Sequence, residues 1–331
     1  MRLKQLGKTG LIVSPIGLGM AALGRPGYIN IGHAEDLKKD YKIKSMERKA
    51  HRVLDLAWDL GIRYFDAARS YGKAEAFLSS WLQKKQIKED AVVIGSKWGY
   101  TYTADWKVTA KAHEVKDHSH SVLLRQWEES QAELGAYLKL YQIHSATKES
   151  NVLRNKKVLE ELHSIKKSGT FIGLSVSGPL QNETILDALE VKFDGVQLFD
   201  TIQATWNLLE QSATEALIAA HELGLGVIIK EALANGRLTD KNVDPDFEDK
   251  IYLFEYHEKK LDTTIDALAM AAALNQPWVD VVLSGATTGN QLQSNLKAVT
   301  VSWSDQITSD LSFMEEESNK YWATRSALPW N

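Results

Sequence analysis

The chain has 331 residues, 44% of them hydrophobic and 25% charged, with a formal net charge of −4. That balance suits a globular enzyme and gives no basic field for nucleic acid or an anionic membrane. Cysteine is absent, which excludes disulfides, thiolate metal sites and cysteine nucleophiles together.

Residues 2–13 predict a small antiparallel hairpin with Lys8-Thr9-Gly10 in its turn. The opening MRLKQLGKTG has no apolar core of a leader, and no apolar run could span a bilayer. The expectation is therefore a cytoplasmic protein, in which the sequon at Asn182 carries no meaning. SPIGLGM predicts a first internal strand ending at Gly19-Met20. Gly17 to Ala22 has the spacing of a dinucleotide fingerprint, but that motif needs a helix to start there. The chain instead continues LGRPGYINIGHA, broken by glycines and a proline. Those glycines let backbone approach a ligand or a neighbouring strand.

From Lys44 onward a helical pattern alternates with short apolar runs. Apolar spacing at Ala50, Val53, Leu54, Ala57 and Leu60 predicts a helix before the strand Ile62–Phe65. Helices over 74–85, 121–136, 152–167, 182–189, 212–223 and 262–274 each precede a strand: AVVIG, LKLYQI, FIGLSVS, GVQLF, GVIIKEAL and VDVVLSG. A last helix covers 289–298, and the tail from Trp303 holds one more before KYWATRSALPWN. Eight short strands rich in Val, Ile and Leu, each with its helix, predict a (β/α)8 TIM barrel. The expected architecture is α/β, one domain over 1–331, with an N-terminal β-hairpin cap. Insertions at 24–45 and 99–120 fall on the rim that shapes pockets in such barrels.

Three successive strands carry polar groups to that rim: Asp66, Lys97 and His144, with Tyr71 in the first loop. A carboxylate there needs a cation, and Lys97 supplies one. An ammonium beside the Tyr71 phenol lowers a pKa ordinarily near 10, and a histidine orients a carbonyl or relays a proton. Such a set protonates a carbonyl oxygen while hydride reaches its carbon.

At this point the sequence closely resembles the aldo-keto reductase family, from the hairpin to about residue 300. FDAARSYG is similar to the family's Asp-x-x-x-x-Tyr-Gly signature, and Lys97 in IGSKWG and His144 in YQIHS complete its tetrad. The resemblance implies hydride transfer between a nicotinamide cofactor and a small carbonyl or alcohol substrate, sugars among the candidates. Tyr71 would act as general acid, Lys97 would lower its pKa, Asp66 would pair with Lys97 and His144 would orient the carbonyl. For cofactor contacts it implies Gly19 and Met20 after the first strand, Ser175 and Gln203 on the carboxamide, and Lys230 where the family often stacks an aromatic. Leu233 to Gly236 fall at the pyrophosphate, and Gly285, Ala286, Thr287, Gln291 and Asn295 at the adenosine phosphate. Val176 stands where asparagine is common, and Gln291 where an arginine often binds a 2′-phosphate. Family habit favours NADP(H), while Gln291 leaves NAD(H) a competitor.

Tyr28, Trp98 and Trp322 are candidate walls of the substrate pocket, and Trp106, Tyr321 and Trp330 are wall or packing. His33 either lines the pocket or pins its loop, and Trp206 either stacks on cofactor or packs between helices. His113, His118 and His120 lie in a charged loop without periodic support and suggest a solvated lid rather than a metal site. Two rivals stay open: a Schiff-base aldolase using Lys97, and a non-catalytic barrel that binds nicotinamide cofactor and regulates a partner.

Overall fold

The computed structural model describes residues 1–331, the side chains of Asp246 and Asp249 excepted. Eight strands close into a barrel in chain order: β1 (Ile16–Gly19), β2 (Tyr64–Asp66), β3 (Val93–Trp98), β4 (Leu138–Ala146), β5 (Phe171–Val176), β6 (Thr201–Thr205), β7 (Gly226–Lys230) and β8 (Val281–Ser284). Every neighbouring pair is parallel, and β8 pairs with β1 to complete the ring. Parallel neighbours need crossovers, and amphipathic helices supply them. Helix Ile43–Asp59, for example, buries Met46, Ala50, Val53, Leu54 and Ala57 along one face. The (β/α)8 expectation holds.

Strand alternation divides the core into two layers. Tyr64, Val93, Leu140, Ile228 and Val281 form an inner cluster with Leu6 and Val13 of the N-terminal hairpin. The hairpin, Lys4–Gln5 against Ile12–Val13, is tied on by Lys4 Nζ, which donates to the Val279 carbonyl at 2.6 Å. That fills the N-terminal end of the barrel and leaves the C-terminal mouth for chemistry.

Several elements differ from expectation. GVQLF is not a barrel strand: Val196–Gln197 pairs with Lys192–Phe193 in a surface hairpin, and β6 starts at Thr201. TIQAT reads as polar because Thr201, Gln203 and Thr205 share one face of β6, the face from which Gln203 reaches Asp66 inside the barrel. Ile202 and Ala204, on the other face, join the outer core. The helix expected from 152 starts at Lys156, where Asn155 accepts a hydrogen bond from Val158 N. Insertion 99–120 contains a hairpin, Tyr100–Tyr102 against Glu114–Lys116, and helix Glu248–Leu261 precedes the eighth unit. The tail forms two helices, Asp305–Leu311 and Ser318–Ala327, the second taking in KYWATRSA. Among the described residues no helix is long and apolar enough to cross a membrane.

Candidate active site

Because β2, β3 and β4 are neighbours, their C-terminal ends bring Asp66, Lys97 and His144 together. Asp66 and Lys97 are 2% and 1% exposed and form an ion pair. Lys97 Nζ also donates to the Ala67 carbonyl at 2.9 Å and to the Tyr71 hydroxyl at 3.4 Å. Asp66 Oδ1 accepts from the Tyr64 hydroxyl at 3.0 Å, Gln142 at 3.2 Å and Gln203 at 3.0 Å. A carboxylate needs partners of this kind to be buried at all. His144 Nε2 stands 3.4 Å from the Tyr71 hydroxyl, with the two rings edge to face.

The loops after β1 and β2 hold Tyr71 in place. The Gly24 carbonyl accepts from Lys73 N at 2.7 Å, and a Cβ on Gly24 would sit 2.3 Å from the Tyr71 carbonyl. Only glycine allows that approach. The next residue, Arg25, is buried and donates to the Ser70 carbonyl at 3.2 Å and to Glu114 at 2.8 Å. Its guanidinium lies 5.3 Å from the centre of the Tyr71 ring.

Burial, and then the Asp66 carboxylate, push the Tyr71 phenol well above its ordinary value, against a smaller opposing pull from Arg25. The lowering expected from Lys97 therefore does not appear. Asp66 already matches the Lys97 charge, so the phenol faces a neutral pair in a dry site. Tyr71 holds its proton at neutral pH, as a general acid must. Burial, then Lys97, lower His144 well below its usual range, so it is a neutral imidazole. The arrangement offers one proton donor and one neutral orienting group to the same oxygen.

These groups open onto a cavity of about 830 Å³, whose wall includes Tyr71 and His144 at one end and Gln291 and Asn295 at the other. Gly19, Tyr28, Gln203, Lys230, Leu233, Gly236, Gly285 and Ala286 lie in that wall as well. A Cβ at Gly285 would meet nothing within 4 Å, and one at Gly19 only the Ser284 carbonyl at 3.5 Å. Asn235 Oδ1, in the same wall, is buried without a partner. A cavity of this volume, with room beside the glycines in its wall and an unsatisfied acceptor, fits a dinucleotide.

Six expected site residues stand outside that wall, among them Lys97, 1% exposed, which lies behind Tyr71 and Asp66. Met20 is fully buried in the outer core, because its amide is tied to the Asp66 carbonyl at 2.9 Å. Ser175 is behind the wall, accepting from Ser145 N at 2.8 Å, while Ser145 and Ser177 line it. Thr287 N donates to Gln291 Oε1 at 3.0 Å, and Thr288 takes the place on the wall. Trp98 is fully buried in the outer core, edge-on to His118, because it alternates with the inward Lys97. Trp322 packs in the same core with its ring 5.8 Å from Lys230 Nζ. Val176 is buried in the core, consistent with an apolar side chain there.

The solvated-lid reading fails for His118, while His113 and His120 stay partly exposed. His118 is buried, with Nε2 2.9 Å from the His144 carbonyl, and burial lowers it to about 4. His113 stacks on Trp330 at 3.9 Å, and His120 faces Glu161 at 3.5 Å. Each therefore packs against a different neighbour. Among the described residues no group of three metal-ligating side chains converges. His33 is fully buried, stands outside the cavity wall and packs edge-on to Tyr28 of its own loop, so it pins that loop. Trp206 packs edge-on to Trp278.

Sequence reasoning missed Arg25, Asp36, Glu114, Glu231 and Arg325, all in the cavity wall. Arg325, from the tail, meets Glu231 at 3.0 and 3.1 Å. Glu231 and Ser145 follow Lys230 and His144 directly, and both take left-handed backbone, with φ 56° and 50°. Non-glycine residues there are strained and cluster at functional sites. These five residues lie in rim loops and the tail, where no periodicity marks them.

Comparison with known proteins agrees with this fold. The model of the aldo/keto reductase family matches residues 15–312. An uncharacterized oxidoreductase of Bacillus subtilis is 26% identical, covering 93% of this chain and 94% of its own. Pyridoxal 4-dehydrogenase of Microbacterium luteolum is 25% identical, covering 93% and 94%. A solved aldo-keto reductase from Bacillus halodurans, in its holo form, shares the fold with a TM-score of 0.73 at 21% identity, covering 96% and 97%.

Proposed function

This chain belongs to the aldo-keto reductase family, matched by its model over residues 15–312, and from its site we propose a nicotinamide-dependent reductase of small carbonyls. The family supports an oxidoreductase. The observation that carries the finer reading is the convergence on the Tyr71 hydroxyl, with Lys97 Nζ and His144 Nε2 each 3.4 Å away. When bound, the cofactor supplies the hydride. Tyr71 donates the proton to the carbonyl oxygen, neutral His144 orients that oxygen, and Asp66 keeps Lys97 in place. Gln203, Leu233, Gly236 and the segment from Gly285 to Asn295 would hold the dinucleotide. The reverse oxidation uses the same groups, and one relative is named for a dehydrogenase activity, pyridoxal 4-dehydrogenase.

The aldolase reading loses support because Lys97 is buried and its donors are directed to Asp66, Ala67 and Tyr71. A Schiff base needs that nitrogen free and uncharged. Turnover of a reactive aldehyde with NADH and with NADPH tests the reductase. Oxidation of either cofactor is the expected result. Tight binding of a cofactor with no turnover across an aldehyde and ketone panel would favour the non-catalytic barrel.

The far end of the cavity favours NAD(H) over the NADP(H) of family habit. Gln291 Nε2 donates to Asp36 at 2.7 Å, and Asp266 accepts from Ser294 and Asn295. Lys241 is paired with Asp36 at 2.7 Å. Asp240 and Glu258 stand in the same wall. Burial, then Glu255, with Asp240 and Asp266, raise the Glu258 carboxyl, a sign of crowded negative charge. Carboxylates accept hydrogen bonds from ribose hydroxyls and repel a 2′-phosphate. In fluorescence titrations wild type should bind NADH at least ~10-fold more tightly than NADPH, and Asp36→Asn should narrow the gap. Tighter NADPH binding by wild type would refute this.

A further inference from the structure

The cations of the reacting end of the cavity have carboxylate partners, with one exception. Lys97 is paired with Asp66, Arg25 with Glu114 and Arg325 with Glu231. Lys230 has none: among the described residues no carboxylate oxygen lies within 4.0 Å of its Nζ, which donates instead to Thr205 Oγ1 at 2.6 Å. Its immediate neighbour Glu231 is engaged by Arg325 at 3.0 and 3.1 Å.

Lys230 ends β7 opposite Thr205. Ile228, two residues earlier, belongs to the inner cluster, so strand alternation puts Lys230 on the inward face, at the mouth. It lines the cavity together with Tyr71, His144 and Gln203. Its charge reaches the reacting groups: it contributes to the lowering of His144, and Lys97 and Asp66 act on it in turn.

A hydride can reach a carbonyl whose oxygen lies at Tyr71 and His144 only from a nicotinamide at this same end of the cavity. The reduced ring is neutral and the oxidised ring is a cation. A half-buried ammonium beside it therefore acts on one redox form and not the other, and away from bulk water that interaction is strong. We propose that Lys230 is the residue by which this protein distinguishes reduced from oxidised nicotinamide, binding the reduced form more tightly and favouring release of the oxidised form. The inference rests on the nicotinamide-dependent reading above and adds a specificity residue to it. A neutral aromatic at this position could stack on either form but would not repel the cation.

Burial lowers Lys230 to about 8, against Glu231, which raises it. The discrimination is thus present below about 8 and fades as pH rises through it. The other charges facing Lys230 are Glu231 and Arg325 beside it and Asp66 and Lys97 across the mouth. Arg325 keeps its charge throughout, and Glu231, whose burial is outweighed by Arg325 and Lys230, is held at about 2.

The test measures dissociation constants for NADH by fluorescence and for NAD⁺ by competition, in wild type, Lys230→Met and Lys230→Arg. The ratio of oxidised to reduced constants should fall at least ~10-fold in Lys230→Met and stay near the wild-type value in Lys230→Arg. Raising the pH above about 8 should lower the ratio in wild type and leave Lys230→Met unchanged. Equal ratios in wild type and Lys230→Met, or Lys230→Arg behaving like Lys230→Met, would overturn the role of Lys230. Should wild type bind neither form, the nicotinamide reading fails and this inference with it.

Discussion

Tyr71→Phe should lower turnover by on the order of 10²–10⁴-fold while leaving cofactor affinity close to wild type. The substitution removes one hydroxyl from a ring already packed against His144 and Arg25, so the pocket keeps its shape. What disappears is the proton donor. His144 is neutral and 3.4 Å from the hydroxyl, so it continues to orient the carbonyl without supplying a proton efficiently. Stopped-flow measurement of a single turnover isolates the chemical step from product release. A Tyr71→Phe protein that reduces aldehyde at the wild-type single-turnover rate would assign the acid to another group.

Asp66→Ala should destabilise the fold by about 3–5 kcal/mol, because it strands a buried ammonium. Lys97 is 1% exposed, and the Tyr64, Gln142 and Gln203 donors lose their shared acceptor as well. Removing both charges, as Asp66→Ala with Lys97→Met, should recover much of that loss, since an apolar pair is tolerated where a lone charge is not. Urea denaturation of the two single variants and the double variant gives the cycle. A double variant as unstable as Asp66→Ala would mean that lost packing and the stranded polar donors, rather than the lone charge, cause the damage.

The parts of the molecule legible in sequence are those governed by local pattern. Helix Ala74–Lys85 lies within the predicted bounds, because its start and its apolar face are both written in neighbouring residues. Asp66, Lys97 and His144 were placed together because each ends a strand, and consecutive parallel strands of a barrel are neighbours. The sixth strand was misplaced for the converse reason. Its inward face is polar, and the more apolar GVQLF nearby drew the assignment away from TIQAT. A strand whose inner residues serve the site loses the hydrophobic signature used to find it.

Chain pattern alone predicted the eightfold barrel and the rim to which Asp66, Tyr71, Lys97 and His144 are carried, since these depend on order and period. The partners and burial of each group were decided by three-dimensional packing. Composition does not tell that Asp66 cancels Lys97, that burial raises Tyr71, or that Asp36 meets Gln291 across 255 positions. Nor does it tell that Lys230 is left without a carboxylate while Glu231, its neighbour, is paired with Arg325. Electrostatic energies depend on distance and on exclusion of water. Both are properties of how distant rim loops and the tail close over the barrel, so they exist only once the chain has folded.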